Sequence, residues 1–219
     1  SLSSRTESEW RVCTPWTQII EAQFLAEVTE LLNGVEYCVL SGSMPPGTGV
    51  GTIRRLATIC HNAGCKLVVD TSGPTLLTLV QEQSVGIDIL RCNRDEAQAS
   101  TKHDLVTVKD FADAAARMIK RGAATNVAMG IGGTGNIVVT ESGQSLFVPA
   151  PKVGVISRVG AGDSFVGALV LSLAQRRDWS TALARGAAAA SVAVTKAGTG
   201  LCEATETEAV AQGLNAVSV

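Results

Sequence analysis

The sequence predicts an α/β fold: a mostly parallel sheet with an antiparallel edge, covered by helices. From Thr17 to Arg121 short apolar runs alternate with helix-period stretches. Such alternation calls for crossover connections and therefore parallel strands. Three strand-like runs then follow in quick succession across Gly-rich connections, as hairpins do. The composition agrees: 46% hydrophobic but only 4% aromatic residues imply an Ala, Val, Leu and Ile core, which suits strands buried under helices.

Each element has its own signal. Glu9–Cys13 reads as a short strand. Over Thr17–Leu32, Ile20, Phe24, Val28, Leu31 and Leu32 recur at helical spacing until Asn33-Gly34 stops the run. Tyr37–Leu40 is a short buried strand, broken by Ser41-Gly42-Ser43-Met44-Pro45-Pro46-Gly47. Thr52–Ala63 is a helix ending at Gly64, and Lys66–Asp70 a strand ending in an acid. Pro74 fits the first turn of a helix that runs to Glu82. Ile87–Leu90 is a strand, Asn93–Ser100 a short helix, and Phe111–Arg121 an amphipathic helix closed by Gly122. The hairpin strands are Asn126–Met129, Asn136–Thr140 and Ser145–Val148. Helices over Gly162–Gln175, Ser180–Thr195 and Glu206–Leu214 complete the chain. With no repeat and no low-complexity linker, residues 1–219 are expected to form one domain.

The net charge of -2 and the absence of any long basic run argue against nucleic acid or an anionic membrane as partner. No apolar run approaches the ~20 residues that span a bilayer. The polar start SLSSRTESEW lacks signal-peptide character, so a cytoplasmic location is expected. Six scattered cysteines show no CxxC; Cys60, His61 and Cys65 cluster without a second pair at metal spacing. Reduced thiols packed as small hydrophobes are the expectation.

Two glycine-rich stretches are candidate phosphate cradles. Gly130-Ile131-Gly132-Gly133-Thr134-Gly135 matches G-x-G-x-x-G, but the β-branched Ile137–Thr140 follows it, whereas a dinucleotide fingerprint opens a helix. A tight hairpin turn is the simpler reading, and a turn whose glycines let a nucleotide lie against the backbone is the functional one. Val159-Gly160-Ala161-Gly162-Asp163-Ser164 does open a helix. Unpaired N–H groups and the helix dipole there make an anion hole. Asp163 in its first turn is either a favourable cap or a catalyst. No Walker-type G-x-x-x-x-G-K-[ST] is present. Asn93 and Glu96 form N-x-x-E after a strand, either a capping box or oxygen ligands for Mg²⁺ through water. The Ser41–Gly47 segment leaves a strand at its carboxyl end, the edge where open α/β sheets bind ligands.

In this order, SGSMPPG, VVDTSG, N-x-x-E, a G-x-x-G turn and GAGDSFVGA resemble the ribokinase-like sugar kinases, and most of all their phosphofructokinase B branch. The resemblance runs from about Glu9 to the C-terminus and implies a three-layer α/β/α fold. It implies ATP-dependent phosphorylation of a sugar phosphate, in the manner of 6-phosphofructokinase, 1-phosphofructokinase or tagatose-6-phosphate kinase. The alternative is a non-catalytic nucleotide-binding fragment or regulatory module. By the resemblance, Asp163 is the base, Gly160, Ala161 and Gly162 form the anion hole, and Asn93 and Glu96 place Mg²⁺. Gly130, Gly133 and Arg91, with Ala193 and Gly198, would border the nucleotide, and Ser43 would face the sugar phosphate.

Ser157 and Val159, with Ala193 and Gly198, correspond to a monovalent-cation site, but Lys196 and Gly200 replace residues that build it, which argues against K⁺. Arg158, Ala128 and Arg91 also depart from the family's usual residues. The family's N-terminal section has no counterpart here, so the domain is expected to be N-terminally truncated, with residues 1–13 the end of a lid. Bare strand edges then imply a homodimer or a complementing N-terminal section.

Overall fold

The computed structural model describes residues 14–219 apart from 84, 102 and 103. Its elements in chain order are α1 (Gln18–Leu31), β1 (Tyr37–Ser41), α2 (Val50–Asn62), β2 (Lys66–Asp70), α3 (Gly73–Leu79) and β3 (Ile89–Asn93). Next come α4 (Arg94–Thr101), α5 (Val108–Arg121), β4 (Asn126–Gly130), β5 (Gly135–Val139) and β6 (Ser145–Pro149). The last four are α6 (Ala161–Ala174), α7 (Trp179–Ala193), α8 (Ala204–Ala211) and β7 (Val217–Ser218). The strands form one sheet in the order β1-β2-β3-β4-β5-β6-β7. β1 to β4 run parallel, and β5, β6 and β7 add an antiparallel edge.

Alternation along each strand sorts the core into two layers. Leu67, Val69, Leu90, Cys92, Val127, Met129 and Ile137 join Ile53 and Leu56 of α2, Leu76 and Leu79 of α3, and Phe111 and Met118 of α5 on one face. Val68, Ile89, Ala128, Val138, Leu146 and Val148 meet α6 and α7 on the other. The crossover helices α2, α3 and α5 thus all pack on one face, and the other is left for the C-terminal helices. This is the three-layer α/β/α arrangement. Alanine-rich α7 lies close over α6: a Cβ on Gly186 would stand 3.0 Å from the Phe165 ring and 3.1 Å from its carbonyl oxygen.

Local chemistry sets the boundaries. Thr107 caps α5, accepting from the Asp110 N–H at 3.2 Å while the Asp110 carboxylate accepts from the Thr107 N–H at 2.7 Å. Gly122 closes the same helix in the left-handed region, φ 85°. The strand expected over Ile87–Leu90 instead spans Ile89–Asn93. Asp88 lies ahead of it, where its carboxylate accepts the Leu67 N–H at 2.8 Å. The helix after Pro74 ends at Leu79 rather than Glu82, and the last helix at Ala211 rather than Leu214. β7 carries no sequence signal: two residues, both exposed, pair with Leu146 and Phe147. The expected Glu9–Cys13 strand lies outside the described residues. Cys38, Cys60, Cys65, Cys92 and Cys202 are free thiols. Among the described residues no helix is long and apolar enough to cross a membrane.

Phe165 is 1% exposed and fills the gap between the sheet and Gly186 of α7. Phe165→Ala is expected to cost about 3–5 kcal/mol by leaving a cavity that close-packed helices cannot collapse into. Urea unfolding checks this through a lowered midpoint at unchanged slope.

Candidate active site

The carboxyl ends of β1 to β4 and the N-terminus of α6 converge on one place. The loop from β6 delivers Gly160, the α6 N-cap, in the left-handed region at φ 79°, where a side chain would be strained. No side chain caps this helix, and the Ala161 N–H makes only a long contact with the Arg158 carbonyl at 3.5 Å. Asp163, in the first turn, does not act as the cap. Its Oδ1 accepts a hydrogen bond from Ser41 Oγ at 2.8 Å, across 122 residues of sequence. A carboxylate accepting from a hydroxyl is the geometry in which a base takes a proton from an alcohol.

Arg91, on β3, lies at the centre. Its Nη1 is 3.3 and 3.4 Å from the two carboxylate oxygens of Asp70, at the end of β2. Both side chains are largely buried, at 15% and 11% exposure. The guanidinium occupies the space a side chain would take at Gly162, where a Cβ would stand 3.0 Å from Nη1, and it also abuts Gly130, where a Cβ would stand 3.3 Å from Nη2. The glycines of two separate motifs therefore make room for the same cation. Two buried polar atoms here, Arg91 Nε and Thr71 Oγ1, have no hydrogen-bond partner among the described residues. Asp70 was not among the candidate site residues read from the sequence; its signals there are an acid ending a buried strand and its place in VVDTSG. Burial pushes its carboxyl above the usual range against the pull of Arg91, and the Asp163 charge pushes the same way.

Asn93 and Glu96 form a reciprocal capping box on α4. Glu96 Oε2 accepts the Asn93 N–H at 2.7 Å, and Asn93 Oδ1 accepts the Glu96 N–H at 3.0 Å. Burial holds the Glu96 carboxyl above its ordinary range. The Gly130–Gly135 segment is a hairpin turn between β4 and β5 with one 3-10 turn over Gly132–Thr134. Gly133 is exposed there. Ser43 Oγ lies 3.0 Å from Ser72 Oγ, linking the loops that leave β1 and β2.

The region expected to border adenine is less open. Ala193 is fully buried, so its side chain offers no surface to a ligand, whereas Gly198 is exposed. Ser157 Oγ donates to the Gly198 carbonyl at 2.9 Å, and Lys196 pairs with Glu206 at 2.7 Å. Arg158 is exposed.

The chain resembles known proteins in sequence and fold. The sequence pattern described as pfkB family carbohydrate kinase matches residues 7–206. The ATP-dependent 6-phosphofructokinase isozyme 2 of Escherichia coli (strain K12) is 31% identical over 206 residues, covering 92% of this chain and 65% of that protein. The 1-phosphofructokinase of Rhodobacter capsulatus is 31% identical over 169 residues, covering 74% of this chain and 52% of that protein. A crystal structure of phosphofructokinase-2 from Escherichia coli in complex with potassium superposes with a TM-score of 0.80 at 30% identity, covering 91% of this chain and 63% of that one. The chain thus spans less than two thirds of the length of these relatives.

Replacing Arg91 by Met leaves Asp70 buried without its cation, a loss expected to cost roughly 3 kcal/mol at pH 7. The sign follows from Asp70's raised carboxyl. In the variant that carboxyl rises further, so stability is retained in acid and lost as pH increases. Unfolding free energies from pH 4 to 8 are expected to show the gap between variant and parent widening toward pH 8.

Proposed function

We propose that this chain, which belongs to the pfkB family of carbohydrate kinases, carries the nucleotide and phosphoryl-transfer side of an ATP-dependent sugar-phosphate kinase. Fructose 6-phosphate is the leading acceptor, with fructose 1-phosphate and tagatose 6-phosphate next. The observation that carries this is the meeting of the uncapped α6 N-terminus with the Arg91 guanidinium around Gly162, beside a carboxylate that already accepts from a hydroxyl. Two positive features converge where an anion gaining negative charge would be stabilised.

In this mechanism Asp163 takes the proton from the acceptor hydroxyl as its oxygen attacks the γ-phosphate; the Ser41 hydroxyl marks the position that the acceptor hydroxyl assumes. The Gly160–Gly162 N–H groups receive the transferred phosphoryl oxygens. Arg91 spans the turn and α6 and holds the phosphate chain in register with a two-pronged donor set. Gly130 and Gly133 lie along the nucleotide, and Ser43 faces the sugar phosphate.

The residues present fit Mg²⁺. Asp70 and Glu96 are carboxylates held above their ordinary range by burial, and Asp70 also feels Asp163, so a hard cation nearby relieves both strains. When bound, the ion neutralises phosphate charge. Asn93 supports Glu96 through the capping box and thereby fixes where that carboxylate points. A monovalent cation is less well served, because the Gly198 carbonyl is taken by Ser157 and a lysine stands in the same loop.

The setting is cytoplasmic, in keeping with free thiols and use of ATP. β1 has no neighbour on its outer side among the described residues, and Val39 is 42% exposed there. A strand from a second copy or from a complementing section would close that edge. A second reading is a nucleotide-binding module without turnover of its own, which the assay below separates from the first.

The test is release of ADP by the chain with Mg–ATP and each sugar phosphate in turn. Asp163→Asn is expected to lower turnover about a thousandfold with Mg–ATP binding retained. Gly162→Val, which drives a side chain into Arg91, is expected to abolish binding in a calorimetric titration. Binding without turnover on any acceptor selects the second reading, and no binding removes both.

A further inference from the structure

Arg94, the first residue of α4, fills an unspecified position of N-x-x-E, yet it is the one side chain from outside the β4–β5–β6 hairpins that hydrogen-bonds to the glycine-rich turn among the described residues. Its Nη2 donates to Thr134 Oγ1 at 3.1 Å and reaches the Ile131 carbonyl at 3.4 Å. Its guanidinium carbon lies 5.1 Å from the centre of the Phe111 ring on α5, and Phe111 is fully buried. A cation over a buried ring is held in place on its apolar side, which leaves its edge directed at the turn. One side chain thus joins α4, α5 and the turn.

The turn needs an external hold. Within it, Ile131 N–H bonds the Gly135 carbonyl at 2.7 Å and Thr134 N–H bonds the Ile131 carbonyl at 3.3 Å. On the β6 side, Ala150 N–H bonds the Thr134 carbonyl at 3.2 Å. Gly132 and Gly133, on the exposed rim, have nothing within 4 Å of where a Cβ would be. Glycines give up more conformational freedom on ordering than other residues. If the turn were loose, a ligand lying on it would bear that ordering cost and bind more weakly. A turn already fastened on both flanks presents a fixed surface.

We infer that Arg94 is a positioning residue for the nucleotide: it fastens the Gly130–Gly135 turn in its binding shape and ties it to the helix whose first turn carries Glu96. The inference rests on the proposal that this turn bears the nucleotide. It gives one short segment, Asn93-Arg94-Asp95-Glu96, two tasks at opposite sides of its helix start. Glu96 faces the metal side of the site, and Arg94 fixes the wall along which the nucleotide lies.

The experiment uses the full chain with Arg94→Gln and Arg94→Lys, Mg–ATP as the calorimetric probe, amide hydrogen exchange over residues 131–135 and urea unfolding. Arg94→Gln is expected to weaken Mg–ATP binding about tenfold, to speed exchange within the turn and to leave the unfolding midpoint close to that of the parent. Arg94→Lys keeps a charge over Phe111 and a donor for Thr134, and is expected to recover most of the affinity. Parent-like affinity in Arg94→Gln overturns the inference while the nucleotide site stands. So does a loss accompanied by faster exchange throughout the chain and a lowered midpoint, which marks a purely structural role. If the parent itself fails to bind Mg–ATP, the nucleotide role of the turn falls and the inference falls with it; exchange confined to the turn then reports the tether alone.

Discussion

The site depends on one buried charge arrangement: the Arg91 guanidinium wedged between two glycines and a buried carboxylate. A cation placed against a helix N-terminus meets partial positive charge, which alone is unfavourable. Asp70 offsets it from the β2 side at 3.3 Å, but at the cost of its own desolvation, which keeps its carboxyl raised. The arrangement is therefore balanced, not relaxed. It carries donors with no partner, including Arg91 Nε, and a carboxylate pressed by a second one. On the proposed function, phosphate oxygens would answer the first deficit and a divalent cation the second. Glycine at 130 and 162 follows from the same constraint, since any side chain there would displace the guanidinium.

Most of the fold was legible because its two periodicities are clean. The period-2 alternation of Leu67-Val68-Val69 sends two side chains to one core layer and one to the other, and the same is true of Val127-Ala128-Met129. β7 was not legible, because two exposed residues on an edge strand owe their conformation to pairing with β6 and not to any burial of their own. The shift of β3 to Ile89–Asn93 has a similar origin: Ile87 and Asp88 are apolar and polar in strand order, but the Asp88 carboxylate is drawn to the backbone of β2.

The site was legible in its residue types and incomplete in its connections. Asp163 and the Gly160–Gly162 turn stand where the motif requires. Asp163 does not cap its helix, and its carboxylate instead accepts from Ser41, 122 residues away, a contact that local sequence could not supply. Arg91 stood out through the resemblance alone, as a nucleotide-bordering position and as a departure from the family's usual residue. Its three-way contact explains why the forked donor set suits the place: a lysine's single ammonium could not touch Asp70 and both glycine positions at once. Asp70 and Arg94 were not singled out as site residues because each meets a partner on another element, Arg91 in one case and Thr134 in the other, which local sequence does not show.

Apart from the local Asn93–Glu96 capping box, the contacts at the site join segments distant in the chain: Ser41 with Asp163, Asp70 with Arg91, Arg94 with Thr134. Each needs its own strands or helices in place, and the Ser41–Asp163 contact also needs α6 docked, so the complete site follows from the finished core. Conversely, the core is built from the apolar side chains of the two layers and not from the polar groups at the strand ends, although it reaches the site where Phe111 underlies Arg94. This separation lets the site keep unpartnered donors and a strained carboxylate without endangering the fold. Stability is supplied by the layers beneath, and the strand ends are left free to serve binding.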